Sequence, residues 1–375
     1  MKIVFAGGGT GGHILPIIAV CREIRRIYSN NNLEFIFIGP KDEFGEIFFS
    51  QEGIKIKHVL SGKVRRYSDW KTFLKNTVDV LFKIPIGVLQ SFFIILFLNP
   101  DLLFSKGGYG SIPGVISSWL LGVPIFLHES DVAPGLSNRF LSKFAIRVFV
   151  SFPRTEYFPP RKMILTGNPI RREILEGSNA EAKKFFKIES EKPVILILGG
   201  SQGAQRINDK ILEDLAELLK TFEVIHQCGE KNYKQVKAES KAMITEELEK
   251  YYRLYPILKE ELIKHAYAVC DIIISRAGSG SIFEIAAAGK PSILIPLPES
   301  AQNHQVKNAY IYTENGATIV MEEVNFTSHF FVQKLKFLFM HPDELEKMRK
   351  AALEFARPEA AKTIAQYFVD YLTNK

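Results

Sequence analysis

The first residues able to do chemistry follow a short apolar run. Lys2-Ile3-Val4-Phe5-Ala6 leads straight into Gly7-Gly8-Gly9-Thr10-Gly11-Gly12-His13. Glycines at a strand-to-helix turn let a ligand approach the backbone, and the N–H groups that open the helix attract anions, phosphate above all. An imidazole at the lip of such a turn can also carry a proton near neutral pH. The plain alternative for His13 is a helix-start residue with a local hydrogen bond. Similar turns recur as Gly199-Gly200-Ser201-Gln202-Gly203-Ala204 and as Arg276-Ala277-Gly278-Ser279-Gly280-Ser281. Glu284 falls on the helix that the last of these starts. A carboxylate there can accept both hydroxyls of a ribose while the N–H groups of Ser279, Gly280 and Ser281 hold a diphosphate. A solvated Glu placed for the helix dipole is the alternative. Gln302-Asn303-His304-Gln305 offers amides for sugar hydroxyls, or is simply a polar loop. His128-Glu129-Ser130-Asp131 sets ionisable groups after another apolar run, although Glu129 could merely cap the next helix.

Competing chemistries leave partial traces. Gly7-x-Gly9-x-x-Gly12 fits the dinucleotide fingerprint, which also wants an acidic residue at the end of the second strand. That strand ends Ile38-Gly39-Pro40. Gly199-x-Ser201-x-Gly203 fits a nucleophile elbow, and chain order allows Asp271 and His304 to complete a hydrolase triad with Ser201. No Asp-x-Asp pair occurs, which disfavours a carboxylate-bound metal holding a sugar nucleotide. The three cysteines, Cys21, Cys228 and Cys270, are far apart and suggest neither zinc nor disulfides, as in a reducing cytosol. No metal and no cofactor is expected, nor a secretory signal before the first strand.

These turns need strands and helices to position them. Apolar runs at 3–6, 34–38, 101–105, 123–127 and 148–150 read as strands, with helices over 15–29 and 134–144 between some of them. Near-continuous apolar strands separated by helices predict a parallel sheet covered on both faces. Pro, Gly and Asn at 152–169 mark a junction, after which the pattern restarts with strands at 193–198, 271–275 and 292–296 and a helix at 282–288. The expected organisation is two α/β domains, 1–168 and 169–356, with a last helix over 357–375 crossing back to the first. Ligands of such sheets bind beyond the carboxyl ends of the strands, so two domains facing one another would bring the turns to a central cleft.

Net charge is +7, and residues 55–106 hold nine Lys or Arg against three Asp. A basic segment suits an anionic partner, or is a solvated face. The longest apolar stretch, residues 84–98, lies in the same segment. Its 15 residues fall short of the roughly 20 that span a bilayer. They are apolar on every side of a helix, so one side should face the core and the rest another element or an anionic membrane surface.

Taken together, Gly8-Gly9-Thr10-Gly11-Gly12-His13, Lys106-Gly107-Gly108-Tyr109, His128-Glu129-Ser130-Asp131, Gly167-Asn168-Pro169-Ile170-Arg171, the 199–204 turn and Ser275-Arg276-Ala277-Gly278 with Glu284-Ile285-Ala286-Ala287-Ala288-Gly289 resemble, in order, the MurG family. These are peptidoglycan N-acetylglucosaminyltransferases that convert lipid I to lipid II. The resemblance implies a GT-B fold of two Rossmann-like doubly wound domains. It implies UDP-N-acetylglucosamine on the C-terminal domain and undecaprenyl-diphosphate-MurNAc-pentapeptide against the N-terminal one. By position, His13 matches the proposed base, with Glu129 a nearby carboxylate able to serve. Thr10, Gly11, Gly12, Asp131, Arg171, Ser201, Gln202, Gly203, Ser279, Gly280, Ser281, Glu284 and Gln305 fall on the donor side, and Gly107, Gly108 and Tyr109 on the acceptor side. The segment around 63–98 matches the family's membrane-touching region. The implied location is peripheral, on the cytoplasmic face of the bacterial inner membrane, with no nucleic-acid partner. Two motifs depart from the family pattern. Ser130-Asp131 stands where Gln-Asn is usual after His-Glu, and Gln302 where Asp is frequent.

Overall fold

The computed structural model describes residues 1–8, 11–28, 32–63, 70–153, 155–200 and 203–374. They form two compact units, Met1–Arg171 with Glu359–Lys375, and Arg172–Pro358.

In the first unit seven parallel strands run in the order β3-β2-β1-β4-β5-β6-β7. They are β1 (Lys2–Ala6), β2 (Glu34–Gly39), β3 (Lys55–His58), β4 (Leu102–Ser105), β5 (Ile125–Glu129), β6 (Arg147–Val150) and β7 (Met163–Leu165). Side chains alternate between two buried faces. Ile3, Phe5, Phe104, Phe126 and Phe149 point to one, where they meet the helices Gly11–Ile27 and Ala360–Thr373. Val4, Ala6, Leu103, Leu127 and Val148 point to the other, with Ile95 and Val115. Two covered faces are why these strands read as unbroken apolar runs. Two corrections to the sequence reading arise here. His128 and Glu129 do not follow β5 but end it, fully buried. β3 and β7 were invisible as strands because an edge strand needs only one apolar neighbour per face, and Lys-Ile-Lys-His reads as basic surface.

The apolar stretch is also longer than it reads. Helical segments Trp70–Val78, Asp79–Lys83 and Ile84–Leu98 follow one another directly, the middle one with π geometry. Thr72–Leu98, 27 residues, is long and apolar enough to cross a membrane by length and composition. One stripe is nonetheless docked on the unit: Gly87, Ser91 and Ile95 are buried. Val88 O accepts the Ser117 hydroxyl at 2.8 Å, and Gln90 Oε1 accepts the Leu60 N–H at 2.9 Å. A Cβ on Gly87 would come within 1.8 Å of Leu60 O, so glycine is required for this approach. Buried Asp79 is held by Lys83 at 2.6 Å and by the Lys63 N–H at 3.2 Å. The outward side keeps Leu81, Phe82, Leu89, Phe93 and Phe97 exposed.

The second unit has six parallel strands in the order β10-β9-β8-β11-β12-β13. They are β8 (Val194–Leu198), β9 (Glu223–Gln227), β10 (Tyr252–Tyr255), β11 (Ile272–Ser275), β12 (Ser292–Leu294) and β13 (Thr318–Val320). The chain order reverses beside β1 in the first sheet and beside β8 in the second, the place where such sheets take ligands.

Phe368, fully buried, stacks edge-on and tilted against Phe104, Phe126 and Phe149 at 5.2–5.8 Å. It seals the last helix onto the first unit. Phe368→Ala is expected to cost about 3–5 kcal/mol in urea unfolding of the full chain, with the loss borne by the first unit.

Candidate active site

In the first unit the turns after β1 and β4 are packed backbone to backbone. Gly107 and Gly108 have φ of +88° and +79°, conformations that favour glycine. A Cβ on Gly108 would lie 3.0 Å from Gly8 O and 3.3 Å from His13 Cε1, so the His13 imidazole rests over Gly108. His13 sits in the first turn of the helix Gly11–Ile27, half-buried. Pro16 has no N–H to give Gly12 O, which leaves this first turn one ladder bond short. Gly11 is buried and Gly12 exposed. Thr10 lies outside the described residues. Pro40 packs on Gly8 at the end of β2, where a dinucleotide site would carry its ribose carboxylate. Tyr109 opens a short turn of 3-10 helix, and Lys63 Nζ stands 5.9 Å over its ring.

Beneath the glycine pair lies a buried polar cluster. A Cβ on Gly107 would come 2.2 Å from Asn138 Oδ1. Asn138 Nδ2 donates to Glu129 Oε2 at 2.8 Å and to His128 O at 3.2 Å, and Asp131 N–H donates to Glu129 Oε1 at 3.0 Å. Glu129 is therefore buried with both oxygens engaged. Lys106, 1 % exposed, donates to His128 Nδ1 at 2.6 Å, to Asn168 Oδ1 at 2.9 Å and to Ser130 Oγ. His128 Nε2 stands 3.1 Å from Gly167 O. With Nδ1 accepting from an ammonium, the assigned tautomer is the neutral one that donates from Nε2. Burial, then the Lys106 charge, holds the His128 pKa well below its ordinary value. Burial also lowers the Lys106 ammonium and raises the Glu129 carboxyl, and their mutual attraction opposes both shifts. Arg171 is buried at the end of this unit. Asn138 carries no functional signal in the sequence, and Lys106, His128 and Asn168 stand there only as members of longer motifs.

In the second unit Gly200 and Gly203 take positive φ in the turn after β8. A Cβ on Gly203 would meet Asn232 Nδ2 at 2.6 Å. Ser201 and Gln202 lie outside the described residues. Behind the turn, Asn208 and Asn232 both donate to Cys228 O, at 3.0 and 3.1 Å. His226 bridges Asn208 Oδ1 and the Tyr252 hydroxyl at 3.0 and 2.8 Å. Burial pushes its pKa down to about 3, so it stays neutral. Beside it, Gly278 opens the helix Ser279–Ala287, with Ser279 buried and Gly280 and Ser281 half-buried. One turn on, Glu284 Oε2 accepts the Tyr267 hydroxyl at 3.1 Å, a partner from another helix that no sequence pattern reveals. Arg276, which the sequence places at a phosphate turn, is instead bound to Glu323 and to Ile295 O. Arg206 is bound to Glu299 and Glu323. Gln302 and Asn303 have φ of +58° and +55°, strain of the kind stored at functional loops. Gln305 Oε1 takes the Leu297 N–H at 3.0 Å, leaving Nε2 as the end with hydrogens to offer.

The hydrolase alternative fails on geometry. Asp271 Oδ2 accepts Val194 N–H at 2.8 Å, at the amino edge of the sheet. The Ser201 turn leaves the carboxyl edge, five strand residues or about 16 Å away.

Residues 3–150 match the glycosyltransferase family 28 N-terminal domain and residues 194–364 its C-terminal domain. A Clostridium tetani protein named UDP-N-acetylglucosamine--N-acetylmuramyl-(pentapeptide) pyrophosphoryl-undecaprenol N-acetylglucosamine transferase is 36 % identical over 370 residues, 98 % of each chain. A crystal structure of Acinetobacter baumannii MurG aligns with 100 % of this chain and 99 % of its own, at TM-score 0.73 and 25 % identity. A UDP-GlcNAc 2-epimerase from Neisseria meningitidis, bound to UDP-GlcNAc, shares the fold at TM-score 0.66 and 16 % identity, over 99 % of this chain and 100 % of its own.

The neutral histidines have a consequence for stability. The unfolded chain protonates His128 and His226 below about pH 6.5, and the folded chain does not. Each of the two should therefore lower stability as pH drops from 7 to 5, while Glu129, whose buried carboxyl is raised to about 7 and takes up a proton in the same range, acts in the opposite sense and offsets one of them. His226→Asn, if it folds, should flatten part of that slope in urea midpoints measured across this range.

Proposed function

The chain belongs to glycosyltransferase family 28 and, within it, to the MurG family of N-acetylglucosaminyltransferases, and from that membership we propose how its residues divide the reaction. The enzyme moves N-acetylglucosamine from UDP-N-acetylglucosamine to undecaprenyl-diphosphate-MurNAc-pentapeptide, the step from lipid I to lipid II. The full-length relationship carries the choice of reaction, since the fold is shared with an epimerase. In our reading the MurNAc 4-hydroxyl attacks C1 of the donor sugar as the C1–O bond to UDP breaks on the opposite face, which inverts the anomeric centre. His13 takes the hydroxyl proton. Its support is its position over Gly108, at the edge where backbone N–H groups can meet an acceptor diphosphate. A positioned base contributes roughly 10²–10⁴ in rate. Glu129, buried with both oxygens engaged, suits support of Asn138 and the glycine turn better than contact with the hydroxyl.

The donor lies on the second unit. The N–H groups of Gly203, Ser279, Gly280 and Ser281 stabilise the departing diphosphate, together with Arg171 and, by sequence position alone, Thr10, Ser201 and Gln202. Glu284, oriented by Tyr267, takes the ribose hydroxyls. Gln305 Nε2 serves the transferred sugar. Gly107, Gly108 and Tyr109 serve the acceptor.

The exposed apolar side of 81–97 and the neighbouring lysines suit peripheral docking on an anionic bilayer, the surface where a polyprenyl substrate resides. The docked stripe through Gly87 and Ser91 favours lying on the membrane over spanning it. The location we propose is the cytoplasmic face of the inner membrane.

His13→Ala should lower kcat by about 10²–10⁴ on a short-chain lipid I analogue while the KM for UDP-N-acetylglucosamine stays within a few-fold. Near-wild-type kcat removes His13 from the base role. Glu284→Ala should raise that KM with little change in melting temperature, and transfer should persist in EDTA. Replacing Phe93 and Phe97 together by Ser should reduce co-sedimentation with phosphatidylglycerol vesicles at low salt. Undiminished sedimentation overturns the docking assignment.

A further inference from the structure

The buried ammonium of Lys106 is not needed by the reaction as divided above, and burying a cation without a reason is costly. Three observations say what it does. Its Nζ is bonded to three acceptors on two separate segments: His128 and Ser130 at the end of β5, and Asn168 in the segment after β7. Three simultaneous acceptors match the three hydrogens of the charged form. It immediately precedes Gly107-Gly108, and its own N–H donates to Ala6 O at 2.9 Å, tying the turn after β4 to the end of β1. Its charge also faces two carboxylates, Glu129 and Asp131, whose attraction acts on it.

We propose that Lys106 is a positioning residue for the acceptor side, whose buried charge balances the Glu129–Asp131 pair that this chain carries and so keeps the Gly107-Gly108 turn in register with His13. The inference rests on the reading that the acceptor diphosphate lies against that turn. Without the cation, the negative charge of Asp131 and of the partly ionised Glu129 stands unopposed beside a site for a further anion, and the acceptor is repelled. Removing the Asp131 charge as well should relieve that repulsion. A role for Lys106 in packing alone would show no such relief.

The test uses the full-length protein, UDP-N-acetylglucosamine and a short-chain lipid I analogue. kcat and both KM values are read, with a melting curve for every variant. Lys106→Met is expected to lower kcat/KM for the acceptor at least tenfold and to leave donor KM within twofold. Adding Asp131→Asn to Lys106→Met should recover at least threefold of that loss. A single variant within twofold of wild type, or a double variant no better than the single, overturns the proposal. If Lys106→Met fails to fold, a folded and active double variant supports the charge balance, and a double variant equally unfolded overturns it. A wild-type enzyme that binds UDP-N-acetylglucosamine yet yields no product instead overturns the acceptor reading. The melting temperatures of single and double variants then decide the charge balance by the same rescue.

Discussion

Room for backbone, and for nothing else, governs the carboxyl edge of the first sheet. A Cβ on Gly39 would lie 2.8 Å from Gly7 O, one on Gly110 2.5 Å from the same oxygen, and one on Gly108 3.0 Å from Gly8 O. Three glycines from two chain segments, the end of β2 and the turn after β4, thus press on the single turn that follows β1. The exclusion comes from neighbouring atoms as well as from dihedral preference, so no small side chain restores the fit. Several features follow from this contact. The His13 ring lies directly over Gly108, Asn138 is driven under Gly107, and Glu129 is drawn into the sheet to satisfy Asn138. The glycine approach also places buried polar atoms that the rest of the cluster must satisfy.

The second unit solves the same problem with different chemistry. Its turn after β8 is braced by neutral groups, with Asn208, Asn232 and His226 converging on the Cys228 carbonyl and the Tyr252 hydroxyl. Its charges are kept nearer the surface, where Arg206, Arg276, Glu299 and Glu323 offset one another. A buried charge cluster is unnecessary where the ligand itself brings two phosphates to helix N-termini, because the N–H groups supply positive potential without an ion to desolvate. In the first unit, on the reading proposed above, the cluster has to coexist with a proton acceptor and a hydroxyl nucleophile. A compensated set of Lys, Glu and Asp there sets the local potential without leaving a net cation beside His13.

The sequence disclosed the parts that are local. Strand, glycine turn and helix start are consecutive in the chain, so Gly7 to His13, Gly199 to Ala204 and Arg276 to Glu284 announce themselves. Central strands such as β1, β4, β8 and β11 are buried on both faces and read as apolar runs. β7 is only three residues long within the Pro-rich junction, and other missed strands carry polar or charged residues that tertiary partners satisfy, as with Glu223 in β9, buried and paired with Arg253. The partners that complete the site were illegible for the same reason. Lys106 meets Asn168 across 62 positions, and Tyr267 meets Glu284 from another helix. Arg276 pairs with Glu323 from a distant segment, a contact that nothing near it in the sequence reveals. The apolar stretch at 84–98 was legible in composition but not in length, since its helix continues back through a π turn that hides the buried Asp79.

Two sheets with the same strand order, each reversing beside its first strand, show how little of the activity resides in the architecture. An epimerase with the same fold and the same nucleotide sugar makes the point from outside. What separates a transferase from such a relative has to lie in groups that serve a second substrate. In this chain those groups gather on the first unit: an imidazole seated on a glycine, an amide wedged beneath its neighbour, and a buried charge set that keeps both in place. Substitutions in the second unit should therefore act first through donor KM. Substitutions in the first should act through the acceptor and through kcat, because the proton acceptor proposed above, His13, stands there over Gly108.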